Sequence, residues 1–381
     1  MKTLIAKRWF DGTRYRGAEP VTLIIEDDRI VDLIPGIRMT TDEAQICEFV
    51  MPGLAEGHCH LFLEGSELDY RKRTDYLDAP LEQMLQVARD NVLRHLACGV
   101  TLVRDAGDRY GVNHRIRDET RSLDIRSAGA ALRRPKRYGS FMAREVETPE
   151  DIRSAVREIA KSSLDAKIIQ TGIIDFESGT VKGAPQFTLD SLTYFVQCAH
   201  EAGMKTFAHC SGTEGIRIAV EAGVDSIEHG FFMTRELLNL MASQGNAWVP
   251  TFSPVHFQWK FPESAGWGPA TVAKLRDILD SHAEHVALAA QLGVNLVAGS
   301  DAGSPGVEHG KSLIDEIFHF LRCGIPMEQA LRSATSLPRE LWGAPSADIR
   351  KGGRCDMIVL AGDPFIDSEH LRHIQTIVRH E

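Results

Sequence analysis

The rhythm of hydrophobic and polar positions changes at residue 51. Before it, apolar, β-branched runs at 21–25 and 29–34 are separated by the turn-like Glu26-Asp27-Asp28, and Pro35-Gly36 marks a second turn. Residues 37–49 lead to a strong break at Pro52-Gly53, and no helical periodicity appears in this part of the chain. After the break, apolar strand-like runs alternate with amphipathic helices, the pattern of βα units on a parallel sheet. Strands are predicted over 54–61, 101–105, 125–129, 166–171, 205–210, 225–228, 247–251 and 295–300. Helices are predicted over 80–97, 191–202, 213–222 and 237–243, the first from Leu81, Met84, Leu85 and Ala88 at helical spacing. Gly99, Gly203, Gly223, Gly245, Gly293 and Gly324 each stand where a helix should close in a left-handed cap. Eight strands in this alternation predict an α/β fold with a (β/α)8 TIM barrel whose third and fourth units are irregular.

Strand character returns at 355–360 and 374–379, after a predicted helix and turn over 326–343. The two chain ends are therefore expected to pair. Residues 1–50 and 345–381 would form one small, β-sandwich-like composite domain, with the barrel over 51–344.

Composition adds exclusions. The chain has 381 residues, 43% hydrophobic and 25% charged, which is ordinary for a globular enzyme. A formal net charge of -10 argues against a nucleic-acid partner. No apolar run approaches membrane-spanning length, and the opening residues lack the apolar core of a signal peptide. Seven scattered cysteines are not a disulfide framework and point to a reducing cytoplasm. Cys59 and Cys210 adjoin ligand-type histidines but face the other side of a strand, so both are expected to pack rather than ligate.

The candidate chemistry begins at Glu56-Gly-His-Cys-His60. On an extended strand, His58 and His60 point to the same side, and two imidazoles converge as a metal ion requires. His209, His229 and Asp301 each end a later predicted strand. In a barrel those ends meet on one face, so residues distant in sequence come together there. The position shared by all five is the signal; each alone reads as a structural histidine or a capping aspartate.

These residues resemble the amidohydrolase superfamily of metal-dependent hydrolases, in its imidazolonepropionase-like and Xaa-Pro dipeptidase-like branch. The resemblance runs the length of the chain. It is carried by Met51-Pro-Gly-Leu with His58 and His60, Gly99-Val-Thr-Leu-Val-Arg-Asp-Ala-Gly107, Ala166-Lys-Ile-Ile and Ala208-His209. It continues through Ala222-Gly-Val-Asp-Ser-Ile-Glu-His-Gly230, Ala298-Gly-Ser-Asp301, Ala334-Thr-Ser and Lys351-Gly-Gly-Arg-Cys-Asp-Met-Ile-Val-Leu.

The resemblance implies two divalent ions, and zinc suits this donor set. His58 and His60 would hold the buried ion with Asp301 as a further ligand, and His209 and His229 the more exposed one. Lys167 stands where relatives carry a lysine carbamate, made with CO2, that bridges both. The ions would lower the pKa of a shared water, and Asp301 would move its proton to the leaving nitrogen. The expected substrate is a small-molecule amide such as a dipeptide or an N-acyl amino acid. A one-metal cyclic-amide hydrolase or deaminase is the alternative. A non-catalytic scaffold would be expected to have lost ligands that are all present here. A homo-oligomer is left open.

Two departures from the family pattern matter. Glu56 replaces the usual aspartate, which bears on how the ligands are oriented. Leu132-Arg-Arg-Pro-Lys-Arg-Tyr-Gly139 replaces a Gly-Gly-His stretch. It reads as a solvated basic loop or as a pocket wall in which Arg133, Arg134, Arg137 or Tyr138 grips a substrate carboxylate. His256 would contact substrate or cap a loop. Residues 252–268, rich in aromatics and proline, read as a lid without regular structure, and Arg104 with Asp105 as a structural ion pair.

Overall fold

The computed structural model describes residues 2–39 and 44–379. Residues 1, 40–43 and 380–381, which the expected composite domain includes, lie outside the described residues.

Five strands open the chain: β1 (Lys2–Phe10), β2 (Tyr15–Arg16), β3 (Val21–Glu26), β4 (Arg29–Pro35) and β5 (Gln45–Pro52). The barrel follows directly. Its first staves are β6 (Leu54–Cys59), β7 (Val100–Asp105) and β8 (Asp124–Ser127), with α1 (Tyr70–Tyr76), α2 (Leu81–Ala97) and α3 (Val112–Glu119) between them. The third stave is broken. Gly129, at φ 69°, turns the chain, and β9 (Ala131–Arg133) resumes beside β10 (Ala143–Glu145) and β11 (Asp165–Ile169). Its first half thus pairs with β7 and its second with β11, which accounts for the irregular third unit.

Helix α4 (Pro149–Ile159) leads into β11, and a hairpin, β12 (Ile174–Asp175) and β13 (Thr180–Val181), follows it. A capping box starts α4: the Thr148 hydroxyl accepts from the Asp151 N–H while Asp151 accepts from the Thr148 N–H. The remaining units are α5 (Leu189–Glu201), β14 (Lys205–Cys210), α6 (Thr213–Glu221), β15 (Ser226–His229), α7 (Arg235–Gln244), β16 (Ala247–Val249), α8 (Phe252–Lys260), α9 (Pro269–Leu292) and β17 (Asn295–Leu296). All six glycines expected to close helices have φ between 73° and 82°.

The barrel closes between β6 and the segment after β17. The Gly57 N–H donates to Ala298 O (2.9 Å), the Asp301 N–H to His58 O (2.8 Å) and the His60 N–H to Ala302 O (2.8 Å). Glycine is required on both sides of this seam. A Cβ on Gly57 would lie 2.6 Å from Ala298 O, and one on Gly299 2.8 Å from His58 N. The seam fixes Asp301 beside His58 and His60.

Helices α10 (Lys311–Arg322), α11 (Met327–Ser333) and α12 (Ser336–Trp342) lead to β18 (Asp356–Leu360) and β19 (Ile374–Arg379). These last strands join the first five in one seven-stranded sheet, ordered β19-β18-β5-β1-β3-β4 with β2 on β1. The sheet curls until β4 meets the chain before β18: Ile30 N–H donates to Gly353 O at 3.0 Å and Cys355 N–H to Asp28 O at 2.5 Å. Alternation then serves two cores. Val50, Met357 and Val359 pack inside the curl, whereas Phe49, Met51, Ile358 and Leu360 join the barrel's core. Buried Arg339 ties the units together through Thr101 Oγ1 (2.9 Å) and Asp356 (3.1 Å).

Two expectations need correction. Residues 252–260 form helix α8 rather than an irregular lid, because the Glu316 carboxylate caps the start, accepting from Phe252 N (3.0 Å), Ser253 N (2.6 Å) and Ser253 Oγ (2.5 Å). Pro254 falls in the first turn, where a proline costs no hydrogen bond. Arg104 and Asp105 do not pair, since neighbours on a strand face opposite sides. Arg104 instead bonds Asp165 (2.9 Å), and Asp105 accepts from the Leu61 and Gly107 N–H groups. Among the described residues no helix is long and apolar enough to cross a membrane.

Candidate metal centre

Strand β6 delivers two imidazoles with one nitrogen each already committed. His58 Nδ1 bonds Glu228 Oε2 at 2.5 Å, and His60 Nδ1 donates to Gly107 O at 2.9 Å. Each pairing leaves Nε2 as the free lone pair, the arrangement a ligating histidine needs. The two Nε2 atoms lie 3.7 and 3.9 Å from Asp301 Oδ1, and 3.4 Å each from Lys167 Nζ.

Strands β14 and β15 bring the other two. His229 Nδ1 pairs with Thr251 Oγ1 at 2.7 Å. His209 bonds the Gly172 backbone, and its Nε2 is buried with no hydrogen-bond partner. The ring centroids of His209 and His229 are 4.6 Å apart, and those of His229 and His58 5.2 Å. His229, Thr251 and Asp301 have φ of 67°, 48° and 56°. Left-handed backbone at a non-glycine costs about 1–3 kcal/mol, and such strain concentrates where a side chain must be aimed.

Burial dominates the electrostatics. It holds His58, His60 and His229 well below the usual histidine range, and His209 at about 3, with the Lys167 charge adding to each. All four imidazoles are therefore neutral, the form that binds a cation. Burial lowers the Lys167 amine to about 8 against the pull of Asp301, Glu228 and Asp105. It raises Asp301 to about 6, opposed by Lys167 and the Ser304 hydroxyl. Glu228 is raised to about 7 by the same cause, opposed by Arg104 and Ser226. Neutral nitrogen lone pairs and a carboxylate converging on one space, with His209 Nε2 left orphaned, fit divalent cations.

A cavity of ≈ 260 Å³ opens over these groups. Tyr138 lines it, its ring centroid 5.2 Å from that of His209. Burial, with the Asp301 charge, keeps its phenol protonated. The other sequence-predicted contacts lie elsewhere. Arg133 pairs with Glu145 at 2.7 Å. Arg134 stacks over Phe187 at 4.5 Å and bonds Ser191 Oγ and the Glu147 carbonyl, and Arg137 donates to the Ala184 carbonyl. His256 faces a separate cavity between α8, α9 and α10 with His319 and Trp259. Neither Cys59 nor Cys210 lines the cavity over these histidines.

Sequence reasoning passed over Glu228 and Thr251, the partners of His58 and His229. Glu228 stood inside the Ser226-Ile-Glu-His229 motif, but its bond to a residue in β6 is a tertiary fact. Glu56 accepts from His58 N (3.0 Å), Ser300 N (2.8 Å) and Ser300 Oγ (2.6 Å), bracing the seam that carries His58 and Asp301.

The model of the Amidohydrolase family matches residues 49–379. The chain belongs to that family. It is 30% identical over 337 residues to an uncharacterized protein of Mycobacterium tuberculosis, covering 87% of this chain and 84% of that one. It is 28% identical over 397 residues to the ochratoxinase of Aspergillus niger, covering 94% and 80%. Among solved structures, a Xaa-Pro dipeptidase with methionine in its active site superposes with a TM-score of 0.83 at 25% identity, over 100% of this chain and 98% of the other. The barrel architecture and metal-dependent hydrolysis of an amide bond follow from this membership.

Proposed function

We propose that the protein is a binuclear hydrolase of small-molecule amides. His58, His60 and Asp301 would hold one divalent ion, His209 and His229 a second, and Lys167, as its carbamate, would be a ligand shared by both. Zinc is the metal this donor set suits. One observation carries the reading: four buried imidazoles each have one nitrogen committed to a neighbour, and His209 Nε2 is left in the cavity without a partner. The lowered Lys167 supports the bridge, because only a neutral amine adds CO2.

When bound, the ions would lower the pKa of a water between them and polarise the scissile carbonyl. Asp301 takes the proton of the attacking water and returns it to the leaving nitrogen. Tyr138, protonated in the cavity wall, donates to the carbonyl oxygen as charge develops there. Glu228 and Gly107 hold His58 and His60 in the ligating tautomer, and Thr251 orients the His229 ring.

Elemental analysis of protein purified without chelator, paired with the intact mass of the Lys167 peptide, tests this. Two metals per chain and a carbamate mass on Lys167 are expected. One metal with an unmodified lysine would transfer the assignment to a mononuclear cyclic-amide hydrolase or deaminase. No metal, and none taken up from added zinc or manganese, would leave a scaffold.

A further inference from the structure

We infer that the substrates are amides with bulky apolar flanking groups, recognised by those flanks and not through a carboxylate; this rests on the hydrolytic reading above. The cavity wall around the ligand cluster is built from Phe141, Ile173, Ile174, Phe176, Phe231 and Val255. Lys167 is the one cationic side chain among the described residues that line it, and it sits within 3.4 Å of His58 and His60 in the ligand cluster.

Of the five uncharged hydroxyl and amide side chains in the wall, Tyr138 and Ser211 keep hydroxyls that can face a substrate, and the other three already serve neighbours. Thr251 Oγ1 serves His229, Ser304 Oγ serves Asp301 (3.0 Å), and Gln258 Oε1 accepts from Trp267 Nε1 (2.7 Å). The guanidinium groups of Arg134 and Arg137 are turned onto backbone carbonyls outside the cavity. In an N-acyl amino acid the carboxylate sits on the carbon beyond the amide nitrogen. With the scissile carbonyl at the ligand cluster, it falls among the apolar walls, where an ion without a partner is disfavoured. An aryl or branched alkyl group in that place gains from burial.

The test is a matched series with the metal-loaded protein: N-benzoyl-leucine, N-benzoyl-leucinamide, N-benzoyl-3-methylbutylamine and N-benzoylglycine. Removing the carboxylate is expected to leave kcat/KM unchanged or raise it. Removing the isobutyl group is expected to lower it about 100-fold, the scale of discrimination an apolar pocket delivers. Binding of the ketone isosteres, with CH2 in place of the amide NH, is followed by calorimetry and should show the same order. Isosteres that bind in this order without any turnover of the amides would defeat the hydrolytic reading, and with it the amides as substrates, while the cavity's preference for apolar flanks over a carboxylate would stand. A carboxylate member favoured tenfold or more in kcat/KM or Kd would overturn it. Ile173→Arg, at a residue 42% exposed and tolerant of a long side chain, is expected to create a carboxylate preference of tenfold or more. A carboxylate preference in the wild type that disappears in Arg137→Ala would trace the error to a guanidinium that swings into the cavity.

Discussion

Two clusters of buried histidines stand in this barrel, and they are built oppositely. In the proposed metal centre, the Nδ1 atoms of His58 and His60 are tied to the acceptors Glu228 and Gly107, so their Nε2 lone pairs are free, and His229 Nδ1 is tied to Thr251 with its Nε2 unengaged. Behind β6, His95, His309 and Cys59 also gather, with potential ligand atoms within 4.8 Å of one another. There, however, His309 Nε2–H donates to Leu63 O (3.0 Å), and its Nδ1 accepts from His95 Nε2–H at 3.0 Å. Burial keeps both rings neutral, His309 at about 4. The one spare lone pair, on His95 Nδ1, points away from that contact. Proximity of ligand-type atoms is thus common to both clusters. The bond inventory on the far side of each ring separates a cluster whose free nitrogens face one cavity from one whose rings bond each other and leave a single nitrogen, His95 Nδ1, without a partner.

The contrast is broken most severely at the proposed metal centre. His209→Ala removes the nitrogen that has no partner. Metal content is expected to fall, and kcat/KM to drop by about 10³-fold or more, at the upper end of what losing one electrostatic contributor costs. Unchanged metal content in that variant, read by elemental analysis, would mean that His209 is not a ligand.

A smaller loss is expected one bond further out. Glu228→Gln keeps the size of the side chain but replaces the carboxylate that fixes the His58 tautomer. Metal affinity should weaken by about 10–100-fold, the usual cost of losing an orienting partner. Competition with a chromophoric chelator measures it directly. Retention of wild-type affinity would show that His58 needs no carboxylate behind it.

How far these roles can be read from the chain depends on the distance of the partner. His58 and His60 are legible because their relation is local, two residues along a strand. His209, His229 and Asp301 are legible because barrel geometry brings strand ends to one face whatever lies between. The Glu228–His58 bond spans 170 positions, and nothing local announces it. Helix α8 was hidden for a similar reason: its cap, Glu316, lies 64 residues after Phe252. The basic run 133–137 misleads in the other direction. Its composition suggests anion binding, but each guanidinium is directed by carbonyls and carboxylates supplied from other segments.

The second histidine cluster supplies the next prediction. His309→Ala leaves His95 Nε2–H buried without an acceptor. Stability should fall by about 1–3 kcal/mol, the penalty for a buried polar group left unpaired, with a cavity cost in addition. Denaturant unfolding of the variant reads the loss, and metal content should match the wild type. A parallel drop in metal content would make the two clusters one functional unit.

The smallest effect is expected at Arg134. Its guanidinium lies 4.5 Å from the centre of the Phe187 ring and bonds Ser191 Oγ at 3.1 Å, so its work is to hold the loop after β9 against the start of α5. A partly exposed contact of this kind contributes about 0.5–1 kcal/mol. Arg134→Ala should therefore cost that much stability and leave KM unchanged for the carboxylate and neutral members of the benzoyl series alike. A rise in KM confined to the carboxylate member would place Arg134 in the substrate site. The apolar wall would then no longer account for selectivity by itself.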